Sequence, residues 1–486
     1  WSSDVCSSDL GNMEVNKDAV PVAPEFEMVV VTPDSNSISA VPQKTEEVKV
    51  EAPTKEWKNV DSFKGASFNS TIINIVNTVI GAGVLSMGFC VRQGGLIGSV
   101  LLILAVVIPS QITLYYCSAA SIYTGTGVYG LLGTKLFNRA MGILCDIFVI
   151  LLSFGVCSAY MGITFQQTSD TLIDYCHVSE EFMNSNRWWI NLLMSLVIFF
   201  PMSSIKNMDN LKFTSAIALG CIVVFVIATF GLGIRALAKE DYTYNLWPDT
   251  TDHLATAASV FLLSFCCHTN IPRLSDEVKH TSTSKFSSKL AKMNRIGIVS
   301  YILCSVSYLL VGAFGYFAFG NDINGSLLTS LRNSKYWFIP VIKVGYGLNT
   351  MLSFPLIAYV PTLSIDSMLF KTERTTKRRL TEAFIWVMLT YIVSQLVPEL
   401  IDIFSITGSL CGSFIGFILP SLFYIRLCAI ENAKPKDQQV KWLRKGPVSL
   451  AIAWVIMIAG AVVCVWATYM ERSEERRVGK ECRSRW

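Results

Sequence analysis

Eleven apolar runs, set between shorter polar stretches, leave this chain few ways to fold. They cover approximately residues 66–90, 95–116, 141–168, 188–205, 214–237, 255–274, 296–319, 336–365, 381–397, 401–427 and 448–468. Each is near the ~20 residues an α-helix needs to cross a bilayer. A backbone in lipid must satisfy its own hydrogen bonds, so such runs become helices. The expected fold class is all-α, a polytopic membrane protein with 11 transmembrane helices. Composition agrees, with 52% hydrophobic and 16% charged residues, against ~25% charged in soluble domains. The formal net charge of +4 then reflects topology, and no nucleic-acid partner is expected.

Residues 1–10 (WSSDVCSSDL) and 472–486 (RSEERRVGKECRSRW) resemble translated sequencing adapters and stand outside fold reasoning. Residues 11–62 are polar, lack a helical period and read as a disordered cytoplasmic tail with no signal peptide. Residues 63–471 form the transmembrane domain. Lys and Arg crowd the loops that follow even-numbered runs and thin out in the others. By the positive-inside rule the N-terminus is cytoplasmic and the C-terminus extracellular or lumenal. The acidic stretch 170–181 reads as an outer loop, and Lys343 as a side chain snorkelling to the outer face. Asn324, in Asn-Gly-Ser of outer loop 7–8, is a candidate glycosylation acceptor. Most cysteines lie inside apolar runs and read as small hydrophobes.

Two runs carry interruptions. NTVIGAGVLSMGF (Asn77–Phe89) places Gly81, Ala82 and Gly83 in the middle of run 1. SFCCHTNIPRL (Ser264–Leu274) places a polar stretch and Pro272 in run 6. Proline removes a backbone donor, and opened backbone at membrane depth is tolerated only where protein or a water-filled site satisfies it. Matching interruptions five runs apart point to two inverted five-helix repeats with a binding site between them, run 11 being peripheral. Freed N–H groups attract a carboxylate and freed carbonyls a cation. Gly81, Ala82 and Gly83 are therefore candidates for an amino acid's carboxylate, against the alternative of a small-residue helix contact. Asn77 offers an oxygen one turn earlier. In run 6, Cys267, His268 and Asn270 are candidate site-wall residues, His268 also a possible proton carrier. In run 8, Pro355 frees a carbonyl near Met351, which with the Ser353 hydroxyl makes oxygen ligands for a hard cation. Run 10, ITGSLCGSFIGFILP (Ile406–Pro420), reads as a close-packing surface. The runs hold no central acid of the kind a proton relay uses, since Asp146 and Glu382 sit near run ends. Na⁺ therefore leads as coupling ion and H⁺ follows. No catalytic constellation, phosphate-binding loop or metal-spaced histidines occur, and neither an enzyme nor a cofactor is expected.

NTVIGAGVLSMGF resembles the first-span signature of the amino acid/auxin permease family, in particular its sodium-coupled neutral amino acid transporter branch. FCCHTNIPRLSDEVK, SFGVCSAYMG (with Tyr160), LSFPLIAYVP and SITGSLCGSFIGFILPSLFY resemble that branch's spans 6, 3, 8 and 10. The resemblance implies a LeuT-like fold working by alternating access. It implies cation-site positions at Asn77 and Ser353, a substrate carboxylate at Gly81–Gly83, and Tyr160 beside the substrate. Gly88 departs from the family pattern, which has proline or another helix-shaping residue there. The function so implied is Na⁺-coupled symport of neutral L-amino acids, at the plasma membrane or an endolysosomal or vacuolar membrane. Proton-coupled, possibly organellar transport and amino acid sensing are the alternatives.

Overall fold

The computed structural model describes residues 67–484 apart from 82, 206–211, 240–243, 279–285, 334–335, 337, 371, 373, 398 and 436–446. The expected tail, residues 11–62, lies outside the described residues, as does Ala82. All the regular elements described are helical. Run 1 folds as α1 (Phe68–Ile80), a 3₁₀ turn (Gly83–Ser86) and α2 (Met87–Gly94). Then come α3 (Leu96–Thr124), α4 (Tyr129–Leu136), α5 (Arg139–Cys176) and α6 (Glu180–Ser185). Run 4 is α7 (Arg187–Met194), a π-helical segment (Ser195–Phe199) and α8 (Phe200–Ser203). Next are α9 (Lys212–Leu237), α10 (Thr251–Ser264), a 3₁₀ turn (His268–Asn270) and α11 (Ile271–Glu277). The chain continues with α12 (Phe286–Phe319), α13 (Leu327–Ser330), α14 (Ile339–Leu369) and α15 (Thr376–Leu396). Run 10 is α16 (Leu400–Thr407), π-helical segments Gly408–Gly412 and Phe414–Ile418, and α17 (Leu419–Asn432). α18 (Pro447–Ser484) closes the order.

Among the described residues, 8 helices are long and apolar enough to cross a membrane, with a ninth if the bent pair Phe68–Ile80 and Gly83–Gly94 is one span. Runs 4 and 9 are helical but fall outside that set: Arg187–Ser203 is short, and α15 opens with the charged stretch TKRRLTE. This is an all-helical, multi-pass membrane protein. Helix starts follow the sequence closely. Ser67, Asn138, Thr250 and Thr375 each cap a helix by accepting from a backbone N–H two or three residues into it. Gly95 turns the chain from α2 into α3 at φ +71°, where a Cβ would stand 2.5 Å from Trp247 N. The first donors of α3 are taken by loop carbonyls, Leu96 N to Asn245 O and Ile97 N to Leu246 O, both 3.0 Å.

α5 lies along α14, and α12 packs against α1, α2, α3 and α9. α10 packs against α2, α16 and the Gly408–Gly412 segment. Two sequence expectations are corrected. α5 runs on to Cys176, so Asp170 and Asp174 are helical and do not belong to an outer loop. Lys343 does not snorkel. It is 1% exposed, 3.5 Å from Asp170 Oδ2 and 3.4 Å from Asp174 Oδ2. The hydropathy of run 3 fades at Thr168, yet the helix continues to Cys176, and Asp170 and Asp174 in that stretch both meet Lys343 of α14.

Candidate functional site

The site is built from two helix ends. α1 stops at Ile80 because Gly81 takes φ +23°, a conformation that favours glycine. Its N–H still reaches Asn77 O at 3.3 Å. α10 stops at Ser264, and Phe265, Cys266 and Cys267 cross to the 3₁₀ turn before Pro272 allows α11 to begin. The two ends touch: a Cβ on Gly83 would lie 2.5 Å from Ser264 Oγ. That hydroxyl is buried, with no hydrogen-bond partner among the described residues.

The last carbonyls of a helix have no intrahelical partner. Here tyrosine hydroxyls take them. Tyr308 donates to Val79 O at 2.5 Å and also lies 3.2 Å from Ser264 O. Tyr346 donates to Gly81 O. Tyr301 donates to Phe265 O at 3.0 Å and sits 3.5 Å from Cys267 Sγ. Tyr160 Oη stands 2.7 Å from where a Cβ on Gly81 would be. Helices α5, α12 and α14 thus converge on the interruption of run 1, each through a tyrosine. Of the candidates, Gly81, Gly83 and Tyr160 come together here. Cys267 lies on the same shell through Tyr301.

His268 is fully buried and held by α3, its Nε2 3.0 Å from Thr113 Oγ1 and 3.3 Å from Ser110 O. Its Nδ1 has no hydrogen-bond partner among the described residues and lies on the side of Gly416 in run 10. Asn270 is part-buried at the end of the 3₁₀ turn, its N–H on Cys267 O at 3.1 Å. Asn77 is part-buried in the last turn of α1, and Met351 and Ser353 are part-buried in α14. Ser353 donates to Asn349 Oδ1 at 3.4 Å. α14 continues through Pro355 and Pro361. No contact joins Asn77 to Ser353 or Met351 among the described hydrogen bonds. Asn324 is exposed, with its backbone N–H on Ser330 Oγ.

Gly88 is a packing residue. A Cβ there would stand 2.4 Å from Ile323 Cδ1 and 3.6 Å from the Gly315 backbone. The small residues of run 10 likewise seat it on run 6, where a Cβ on Gly408 would be 2.0 Å from Ser259 O. A second polar cluster lies apart from the interruptions. Asp170, 1% exposed, meets Lys343, Arg332 Nε at 3.8 Å and Gln166 Nε2 at 2.9 Å, and Arg332 also pairs with Glu180 at 3.0 Å. A cavity of about 60 Å³ adjoins it, lined by Ser169, Asn184 and Arg187 among others. The residues missed from the sequence are Ser264, Tyr301, Tyr308, Tyr346 and Asp170. A buried tyrosine needs a partner for its hydroxyl, and three tyrosines inside apolar runs were the available signal.

Matching interrupted helices that meet in the interior are the arrangement found at transporter binding sites. The fold is that of LeuT-like transporters. Over 82% of this chain and 98% of the other it matches MhsT, solved with L-phenylalanine, at a TM-score of 0.58 and 14% identity. Over 86% and 92% it matches inward-facing Mhp1 at 0.57 and 10% identity. The family model "Transmembrane amino acid transporter protein" matches residues 64–471, and the chain belongs to that family. It is a transporter and not an enzyme. Its relatives include amino acid transporter AVT6A of Arabidopsis thaliana, 28% identical over 75% of this chain and 82% of that protein. Sodium-coupled neutral amino acid symporter 2 of Danio rerio is 24% identical over 78% and 79%. Vacuolar amino acid transporter 5 of Schizosaccharomyces pombe is 25% identical over 82% and 93%.

Proposed function

We propose that the protein is a secondary active transporter that carries neutral L-amino acids together with Na⁺ by alternating access. It uses eleven spans, the first ten as two inverted repeats of five, with a cytoplasmic N-terminus and an extracellular or lumenal C-terminus. The single observation that carries this is the contact between the two interruptions, Gly83 against Ser264 with Tyr308 on a carbonyl of each. The substrate carboxylate sits on the backbone around Gly81, Ala82 and Gly83, because N–H groups freed where a helix restarts favour an anion. Tyr160, Cys267, His268 and Asn270 flank it. Na⁺ is held by Asn77, the Met351 carbonyl and Ser353. Asn77 lies one turn before Gly81, and Ser353 seven residues past Tyr346, whose hydroxyl sits on Gly81 O. With spans 1 and 8 running in opposite directions, these oxygens fall on the same side of the interruption. Asn324 carries a glycan if its loop faces the lumen or exterior.

A second reading, proton coupling at an organelle membrane, is favoured by a particular feature. Asp170 and Lys343 are buried together, so the helices do contain an acid–base ion pair that hydropathy alone assigned to a loop and a snorkelling side chain. The test is uptake of L-alanine, L-serine, L-glutamine, L-leucine and L-phenylalanine, with Na⁺ or choline, at two pH values. Uptake of at least one that falls more than tenfold in choline supports Na⁺ symport. Uptake that persists in choline and grows as pH falls replaces it with proton coupling, and binding without flux replaces both with a sensor.

A further inference from the structure

α12 reads as a plain apolar span, yet one of its faces backs both interruptions. Tyr301, Cys304 and Tyr308 recur at helical spacing along it and are buried. Further on, Gly312 meets α2, where a Cβ would be 2.6 Å from Val91 Cγ2, and Gly315 meets Gly88. Between these contacts the Tyr308 ring is locked edge-on against Phe265, centroids 5.1 Å apart at 81°, and Phe265 is edge-on to Tyr301 on its other side. A fixed ring fixes its hydroxyl. That hydroxyl has a single proton, directed at Val79 O and near enough to Ser264 O to be shared with it. Both carbonyls stand in last turns, where the helical ladder has ended. If the two interrupted segments moved apart, one buried carbonyl would lose its donor in a low-dielectric setting, which is unfavourable.

We propose that Tyr308 is a positioning residue: its hydroxyl ties the interruption of span 1 to that of span 6, so the two halves of the substrate site move as one body. This rests on the transport site proposed above. A substrate whose carboxylate lies on span 1 then always meets span 6 at the same distance, in the outward-facing and inward-facing states alike. Tyr391 of α15, a buried tyrosine whose hydroxyl donates to Trp188 O at 2.9 Å outside both interruptions, serves as the internal comparison.

The test uses full-length protein in proteoliposomes, with uptake of the best-transported member of the amino acid panel normalised to folded protein. Tyr308→Phe keeps the ring and removes the tie. The expected result is a kcat/KM at least thirty-fold lower, with KM raised and kcat reduced, while Tyr391→Phe stays within threefold of the unmodified protein. A purely packing role would lower the melting temperature and leave KM and kcat within twofold, and that result overturns the tie. Gly83→Val runs beside them. If it is inactive while Tyr308→Phe is normal, the tie fails and the site stands; if Gly83→Val transports normally, both fail. Should Tyr308→Phe not fold, hydrogen exchange on the unmodified protein decides. Substrate protecting residues 79–84 and 264–268 to the same degree supports the tie, and protection of one segment alone overturns it.

Discussion

At the scale of single residues, glycine and tyrosine divide the work at the interruption. Gly81 supplies the φ that ends α1, and Gly83 lets the chain pass against Ser264. Tyr346 and Tyr308 take carbonyls that the ended helix leaves open. The glycines were legible because they punctuate an otherwise helical pattern. The tyrosines were not, since in a run dense with apolar residues a tyrosine reads as bulk until its partner is known. His268 is anchored on one side only, its Nδ1 left without a partner among the described residues. A histidine at mid-membrane depth suggested a cavity wall, and the structure gives its Nε2 two partners on α3. Ser353 offers the sharpest test at this scale. Its hydroxyl touches only Asn349 among the described hydrogen bonds, so Ser353→Ala removes an oxygen without opening a core cavity. The Na⁺ concentration for half-maximal uptake should rise about tenfold, as ~1.4 kcal/mol of lost binding implies, while substrate KM shifts less. An unchanged Na⁺ dependence would remove Ser353 from the cation site.

At the scale of elements, hydropathy located the long helices, passed over the short α4, α6 and α13, and missed what binds them together. Each of the eleven runs coincides with a helix or an interrupted helix, because lipid leaves the backbone no other economical state. The π-helical segments Ser195–Phe199, Gly408–Gly412 and Phe414–Ile418 were invisible, since one extra residue per turn hardly alters composition. The ion pair between α5 and α14 was invisible for a different reason: a pairing between distant runs is a tertiary fact. Lys343 and Asp170 are each 1% exposed, so removing one partner strands the other. Lys343→Met should destabilise the protein by about 3 kcal/mol, the lower end for a broken buried pair, because Arg332 still lies near Asp170. Lys343→Met with Asp170→Asn should recover most of that loss. Melting curves followed by size exclusion would read both, and a single variant as stable as the unmodified protein would contradict the pairing.

At the scale of the whole molecule, α12 contacts both halves of span 1 and carries the tyrosines that hold the interruption of span 6, while α5 and α14 form a separate long contact. The proposed alternating access would move one packed group against the other around the site. The family and the all-helical class were legible from motif order and hydropathy alone. Coupling was not, because the oxygens of Asn77 and Ser353 and the buried Asp170–Lys343 ion pair do not by themselves identify a coupling ion. A neutral substrate that moves with one Na⁺ carries one net charge, and 100 mV then contributes ~2.3 kcal/mol. At ~1.4 kcal/mol per tenfold, that sustains roughly fifty-fold accumulation. The deciding measurement is the steady-state ratio of internal to external labelled amino acid in proteoliposomes held at 100 mV, negative inside, with equal Na⁺ on both sides. A ratio of several tens that collapses to one when Na⁺ is replaced by choline is the predicted result. A ratio of one in Na⁺, or a high ratio that survives in choline, would contradict Na⁺-coupled transport.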